Sequence, residues 1–344
     1  MQFRNISNVS NIDLRSEDEF KKGSIPSSIN IPILTNEQFK QVGIEYKKNG
    51  SDSAVLLGHS LVKGESKKKL VRLWAEHLKE NPGSVVYCFR GGMRSEIAVK
   101  WLQDYGVNVE KLVGGYKNFR SWIISQHLNI DKYKKEWIII GGLTGSGKTE
   151  FLNLFKESID LEGIANHRGS AFGGKHDGQP SQVNFENILT QSYLEKCSGN
   201  IILEAESRNI GRVTLPGKFY DKMRSSKYVF VEADIETRVN NIVEEYVLMP
   251  LQNGIERDNL LILYQAALNK INRRLGGNNY LTIKNQMNKA FNVQGGSHEL
   301  WIKLLLENYY DRLYKHKLDE ISNQIIFSSD WSACKDYLKD MDAT

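Results

Sequence analysis

Residues 142–149 read Gly-Leu-Thr-Gly-Ser-Gly-Lys-Thr, preceded by Trp137-Ile-Ile-Ile and followed by Glu-Phe-Leu-Asn-Leu-Phe. A β-branched run, a glycine-rich loop and a stretch with helical apolar spacing form, in that order, the strand–loop–helix unit whose backbone N–H groups wrap a phosphate. The pattern GxxxxGK[ST] is met at every fixed position, by Gly142, Gly147, Lys148 and Thr149. In such a loop the glycines bring backbone up to the anion, Lys148 adds a point charge and Thr149 can ligate Mg²⁺. We therefore expect Gly142, Thr144, Gly145, Ser146, Gly147, Lys148 and Thr149 to bind a phosphate or diphosphate, which need not belong to a nucleotide. An acid at the end of a neighbouring strand would complete a metal site. Glu204 or Glu206, in NIILEAES at 200–207, stands at that place.

The loop also sets the fold class of the second half of the chain. WIIIGG, NIILEAE and KYVFVEAD read as buried strands separated by helical stretches, which predicts a parallel sheet of βαβ units. From about Glu236 onward the periodicity is nearly all helical. Upstream, NIDLR, IPSSINIPI and SVVYC supply short strands, while KKKLVRLWAEHL and SEIAVKWLQDYG supply helices, a small α/β domain. We expect an α/β chain divided into residues 1–130, a P-loop core at 131–235 and a helical C-terminal part at 236–344. A length of 344 residues with 40% hydrophobic and 25% charged side chains suits two cores and excludes disordered and collagen-like classes. No apolar run reaches the roughly 18 residues a bilayer crossing needs, and the first residues lack the order of a signal peptide. The expectation is a cytoplasmic protein with no membrane partner. The net charge of +5 leans mildly toward polyanions.

Three cysteines far apart exclude a disulfide framework and a CxxC metal site. Cys88 ends SVVYC and opens the loop Phe89–Arg94, with Gly91-Gly92 inside it and a helix beginning near Ser95. Backbone amides, a helix N-terminus and the guanidiniums of Arg90 and Arg94 each favour thiolate over thiol there. Cys88 is thus the expected nucleophile, and Cys197 and Cys334, without such neighbours, are expected to be structural. Residues 1 to about 125 resemble a rhodanese domain: NIDLRSEDEFKKGSIPSSINIPI resembles its opening strand and Gly-x-Ile-Pro segment, and LVGGYKNFRSW its closing Gly-Gly segment. The fold class expected is therefore a rhodanese-like α/β domain plus a P-loop NTPase-like parallel-sheet domain with a helical C-terminal extension. Arg94 lies six residues after Cys88, where the usual rhodanese loop places its arginine five after. That spacing resembles the dual-specificity phosphatases, whose wider cradle holds a tetrahedral phosphate, so this loop is expected to accept an anion such as selenophosphate or thiophosphate rather than only a sulfur atom. Tyr87, where those enzymes carry histidine, argues against a phosphatase.

A rhodanese domain followed by a P-loop resembles the tRNA 2-selenouridine synthase family. YCFRGGMRS, GGLTGSGKT, ANHRGSAFGG at 165–174, LEAESRNIG at 203–211 and ENYYDRLY at 307–314 carry the resemblance nearly end to end. Arg312 departs from it, standing where the family has proline after Tyr-Tyr-Asp. The resemblance implies a transferase acting on wobble 2-thiouridine of the tRNAs for Lys, Glu and Gln. Geranyl diphosphate first alkylates the sulfur, and selenophosphate then delivers selenium. No tightly bound cofactor is expected; Mg²⁺, held by Thr149 with Glu204 or Glu206, is a candidate, and a selenophosphate-producing enzyme is a candidate partner. Gly142–Thr149 would cradle the geranyl diphosphate, and Cys88, Arg90 and Arg94 would serve the selenium step. His167, Arg168, Ser170 and Phe172 become candidates for reagent or tRNA contact, Phe172 by stacking on an extruded base. Arg208 and Arg212 are candidates for phosphate binding. Ser53–Gly64, more apolar than a rhodanese surface loop should need, is a candidate wall for the geranyl chain. Lys67–Lys69, Arg273, Arg274 and Lys315 are basic candidates for tRNA phosphates. Two rivals stand beside this reading. One is an ATP-dependent P-loop kinase or phosphotransferase with a rhodanese-like regulatory domain, suggested by Arg238 just past the strand-end acid of KYVFVEAD. The other is a non-catalytic binding module.

Overall fold

A computed structural model describes residues 3–175, 177–196, 200–293 and 295–342, apart from the side chains of Lys315, His316, Lys317 and Asp342. Cys197 and the Lys315 side chain therefore lie outside the described residues. The chain forms two compact units, residues 1–130 with 180–195, and residues 131–179 with 196–344.

In the first unit three two-residue strands, β1 (Ile12–Asp13), β2 (Ile29–Asn30) and β3 (Val86–Tyr87), pair in parallel in the order β2-β1-β3. Alternation along β1 and β3 splits the core: Ile12 and Val86 pack with Trp74 and Leu102 on one side, and Tyr87 packs with Phe119 and Ile123 on the other. Asp13 and Arg15 of the NIDLR segment are buried as an ion pair at 2.6 Å. Arg15 also donates to the Gly23 carbonyl at 2.6 Å and lies 3.9 Å over the Tyr116 ring, so the buried guanidinium keeps its partners. Ser16 and Glu19 form a capping box on the helix Glu17–Lys22. The helix Asn36–Leu61 is broken at Gly50, whose φ is 84°. Ser53–Gly64 is consequently helical: it is the second half of that helix and its junction with the helix Gly64–Glu80, rather than a surface loop. The helices Met93–Asp104 and Gly115–Leu128 complete the N-terminal part.

The helix Gln182–Glu195 belongs to this unit although it lies within the P-loop half of the sequence. Its buried Asn187 donates to the Ser24 carbonyl at 2.8 Å and to the Tyr116 hydroxyl at 3.3 Å, and accepts from Arg120 at 2.8 Å. These bonds satisfy an amide that would otherwise be costly to bury.

The second unit is built on β4 (Glu136–Gly141), β5 (Ser158–Ile159), β6 (Asn200–Glu204), a hairpin of β7 (Asn209–Ile210) and β8 (Val213–Thr214), β9 (Lys227–Val231) and β10 (Ile325–Ser329). The main sheet is wholly parallel in the order β10-β9-β4-β6-β5. Its three interior strands are the three apolar runs expected, and β4, central and buried from Trp137 onward, aims its C-terminal end at the glycine loop. β10 corrects the expectation of helix from Glu236 to the end. It is five residues long, sits at the sheet edge, and lies between the helices Asp311–Ile321 and Trp331–Asp342, whose longer periodicity dominates the sequence there. Phe327 on this strand stacks on Tyr337 with centroids 4.3 Å apart. The remaining helices surround a second core that includes Tyr264, Phe291 and Trp301. Among the described residues no helix is long and apolar enough to cross a membrane.

Candidate functional site

Gly142–Gly147 connect β4 to the helix Lys148–Leu152. At Gly145, φ is 85° and a Cβ would stand 2.7 Å from the Arg238 carbonyl oxygen, so this turn requires glycine. The helix Ile235–Val243 fixes the loop from behind. Arg238, 3% exposed, donates through Nε to the Thr144 carbonyl at 2.9 Å and pairs with Asp311 at 2.5 and 3.1 Å. Asn241 donates to the Gly145 carbonyl at 2.9 Å. Arg238 is therefore a clamp on the loop backbone, with its guanidinium paired to Asp311. Asp311 belongs to the ENYYDRLY segment, so one job of that motif is to hold the glycine loop through Arg238.

Lys148 Nζ lies against the Gly142 carbonyl at 3.1 Å. Burial alone would lower its pKa, but Tyr314 and the carboxylates of Glu162, Glu206 and Glu204 outweigh burial and hold it above the usual lysine value. Those three glutamates converge: one oxygen from each lies within 4.8 Å of the others. Glu204 ends β6 and is fully buried. Its Oε1 accepts from the Glu162 N–H at 2.8 Å, while its Oε2 meets no donor among the described residues. Glu162, on the helix Leu161–Ala165, accepts weakly from the Thr149 hydroxyl at 3.4 Å. Burial first, and then mutual repulsion, raises the pKa of Glu162 and carries Glu204 well above the carboxylate range. Thr149, Glu204 and Glu206 are legible in the sequence, whereas Glu162 is not. Its helix is one turn long, and only the tertiary fold brings it beside the other two.

The loop opens on a cavity of about 710 Å³. Lys148, Glu162, Glu206, Arg168, Arg224 and Arg274 are among its polar lining, and Tyr228, Phe230, Tyr246, Tyr310 and Leu313 supply much of its apolar wall. Two π-helical turns, Glu244–Leu248 and Leu306–Tyr310, bring Tyr246 and Tyr310 to it. Arg168 pairs with Glu245 at 2.7 Å and lies 4.6 Å over the Tyr246 ring. Ser170 shares a hydrogen bond with the Tyr246 hydroxyl at 3.1 Å. His167 is half-buried, with no partner for Nδ1 among the described residues, and burial, then Arg168 and Lys175, lower its pKa. Phe172 corrects an expectation: it is 4% exposed and packs against Tyr264 and Trp301 in the helical core, where it cannot stack on a base. Arg208 and Arg212 are exposed at the β7–β8 hairpin and do not line the cavity. Arg274, in contrast to Arg273, does.

In the first unit Cys88 follows β3 directly and is 4% exposed, its Sγ facing the Gly92 carbonyl at 3.9 Å. The closing Gly-Gly segment is the lid of this loop. Tyr116 N–H donates to the Cys88 carbonyl at 2.9 Å and Lys117 N–H to that of Phe89 at 2.8 Å. Gly115, with φ 57°, packs so tightly that a Cβ would run into the Cys88 carbonyl and the Gly91 nitrogen. Arg94 leaves the loop to form a two-pronged pair with Glu19 at 2.6 and 3.0 Å and lies 4.9 Å over Phe39. Arg90 is exposed. Cys88, Arg90 and Arg94 thus share a loop, as expected, but one guanidinium is held by the capping-box glutamate, which the sequence does not reveal. Nor does it reveal Ser95, fully buried with no partner for Oγ among the described residues.

Met93 and Arg94 border a cavity of about 480 Å³ whose walls are largely apolar, among them Leu34, Val42, Ala54, Val55 and Trp101, with Lys47, Ser51 and His59 also at its edge. The Ser53–Gly64 segment contributes Ala54, Val55, Gly58, His59 and Val62 to it. Among the basic candidates, Lys67 lies 4.5 Å over the Trp101 ring and Lys68 pairs with Glu65 at 2.7 Å.

Fold and loops together define a class: a rhodanese unit with a cysteine at its anion loop, followed in the same chain by a P-loop unit. The rhodanese-like domain family matches residues 2–121, and the tRNA 2-selenouridine synthase AAA domain matches residues 135–344. Proteins named tRNA 2-selenouridine synthase are similar over most of their length. That of Shewanella sp. (strain ANA-3) is 39% identical, covering 95% of this chain and 93% of the relative. That of Shewanella sp. (strain MR-7) is 40% identical, covering 95% and 92%. That of Hydrogenovibrio crunogenus is 38% identical, covering 97% and 96%. The chain belongs to the tRNA 2-selenouridine synthase family.

Proposed function

We propose that the protein is a transferase that replaces the sulfur of wobble 2-thiouridine in tRNA by selenium through an S-geranyl intermediate. The observation that carries this reading is the pairing of two dissimilar anion loops in one chain. Lys148 and the glycine loop open on a cavity with one apolar aromatic wall, and the loop that Cys88 opens ends at Met93 and Arg94, which border a second, largely apolar cavity. In the first step the thiouridine sulfur attacks C1 of geranyl diphosphate, the C–O bond breaks and pyrophosphate leaves. Lys148 and the loop amides stabilise the charge that grows on the departing diphosphate. Tyr228, Phe230 and Leu313 offer the hydrocarbon chain a surface to lie on. The donor set Thr149, Glu204 and Glu206 is all oxygen and suits Mg²⁺, which would supply charge neutralisation to the diphosphate.

In the second step the selenium of selenophosphate attacks C2, the C2–S bond breaks and geranylthiolate, a far better leaving group than a thione, departs and takes up a proton. Water then cleaves the Se–P bond, the electron pair stays on selenium and phosphate leaves. Cys88 holds the selenophosphate at this loop without bonding to selenium, and Arg90 with Arg94 receives the phosphate, Arg94 exchanging Glu19 for the anion. The apolar cavity next to Met93 and Arg94 shelters the geranyl group of the intermediate. Arg274 at the mouth of the P-loop cavity is a contact for tRNA phosphate, and the substrates are the tRNAs for Lys, Glu and Gln. An enzyme that makes selenophosphate is the supplying partner. The test is mass spectrometry of wobble nucleosides after incubation with thiolated tRNA and geranyl diphosphate, then selenophosphate. S-geranyl-2-thiouridine followed by 2-selenouridine, without ATP, supports the reading; turnover that requires ATP overturns it.

A further inference from the structure

The three glutamates beside the glycine loop are built for more than a metal carried in by a phosphate. In a P-loop the cation is ordinarily shared between the loop Ser/Thr, one strand-end acid and the phosphate oxygens, so the protein alone supplies few ligands. Here Glu162, Glu204 and Glu206 come from three places, a one-turn helix, the end of β6 and the residues just past it, and still bring an oxygen each within 4.8 Å. That spread is what two metal–oxygen bonds of about 2.1 to 2.5 Å span across one ion. Glu204 is fully buried, and its Oε2 meets no donor among the described residues. A buried carboxylate oxygen left without a donor costs several kcal/mol unless a cation or proton meets it. The Thr149 hydroxyl reaches the same cluster through Glu162 at 3.4 Å. Gly169 has its Cα so close to Glu162 and Glu206 that a Cβ would stand 2.5 Å from an oxygen of each, which leaves no room for a side chain over the cluster.

We propose that Glu162, Glu204 and Glu206, with the Thr149 hydroxyl, form a resident divalent-cation site that fills in the absence of any phosphate ligand. The all-oxygen donor set selects Mg²⁺, Mn²⁺ or Ca²⁺ over the softer transition metals. Glu162 is a ligand of this site, and the cation is in place before a diphosphate arrives. The proposal concerns metal binding alone and stands whether or not geranyl diphosphate is the reagent.

The test is a titration of the full chain with Mn²⁺ after treatment with chelator, read by electron paramagnetic resonance with no nucleotide, pyrophosphate or tRNA present. One Mn²⁺ per chain is expected, displaced by Mg²⁺ or Ca²⁺, with binding weakened at least tenfold in Glu162→Gln and in Glu204→Gln. Circular dichroism and the melting curve of each variant check that it is folded, and Glu162→Asp, which keeps the charge but shortens the reach, should bind with intermediate affinity. Mn²⁺ that binds only once pyrophosphate is added overturns the resident site. Mn²⁺ lost in Glu204→Gln but held at full affinity by a folded Glu162→Gln overturns the role of Glu162 and reduces the site to the ordinary P-loop arrangement.

Discussion

The Cys88 loop and the Lys148 loop use one backbone device, a strand end, a glycine turn and a helix start, in opposite surroundings. Around Lys148 the three carboxylates of Glu162, Glu204 and Glu206 converge, and Arg168, Arg224 and Arg274 line the same mixed polar and aromatic cavity. Around Cys88 the loop is sealed by Gly115 and Tyr116, its Arg94 is drawn off to Glu19, and the cavity that Met93 and Arg94 border is largely apolar. The device supplies oriented amides in both cases. What differs is the charge and polarity around it, and on the proposed function that difference separates the loop for the diphosphate from the loop for the selenium step.

If that contrast is right, the two loops should fail differently. The largest effect is expected from Lys148→Ala, which should abolish S-geranyl-2-thiouridine and every later product, measured by nucleoside mass spectrometry. Next comes the clamp: Arg238→Ala leaves Asp311 unpaired and frees the Thr144 carbonyl. A buried pair broken on one side costs roughly 3 kcal/mol. We expect a lower melting temperature together with a geranylation rate down by about 100-fold, which is roughly 2.7 kcal/mol of transition-state stabilisation. Ala54→Trp, filling the apolar cavity, should slow selenation of a preformed S-geranyl tRNA by about tenfold, or some 1.4 kcal/mol, without touching pyrophosphate release. The smallest effect is one of pH. Burial, with Arg120 adding to it against Glu186, lowers His127 to about 4, and the ring is hydrogen-bonded to Thr190. The unfolded chain binds this proton below about pH 6.5 and the folded chain does not until about pH 4. Stability of the first unit should therefore fall as pH drops through that window, and His127→Gln should flatten the fall in melting curves.

The same contrast explains how much could be read from sequence. The glycine loop, Cys88 and the three interior strands of the second sheet are local: spacing and periodicity specify them within some ten residues. Glu162, Glu19 and the Arg238–Asp311 clamp are not local, because each acts on a loop from an element whose own pattern is ordinary. Arg238 looks the same in sequence whether it meets a phosphate or a carbonyl. Phe172 sits among glycines and polar residues and reads as exposed, yet the helical core takes it in. The strand β10 is outweighed by the helices on either side. The helix Gln182–Glu195 shows nothing in its spacing to say which unit its apolar face will cover.

The central claim is that the two loops serve two successive steps. Cys88→Ser tests it most directly, because the change removes one sulfur from a loop whose backbone is held by Gly115 and Tyr116. Incubated with thiolated tRNA, geranyl diphosphate and selenophosphate, this variant should accumulate S-geranyl-2-thiouridine and form no 2-selenouridine. Loss of both nucleosides to the same extent would contradict the account, since it would mean that Cys88 serves the geranyl step as well.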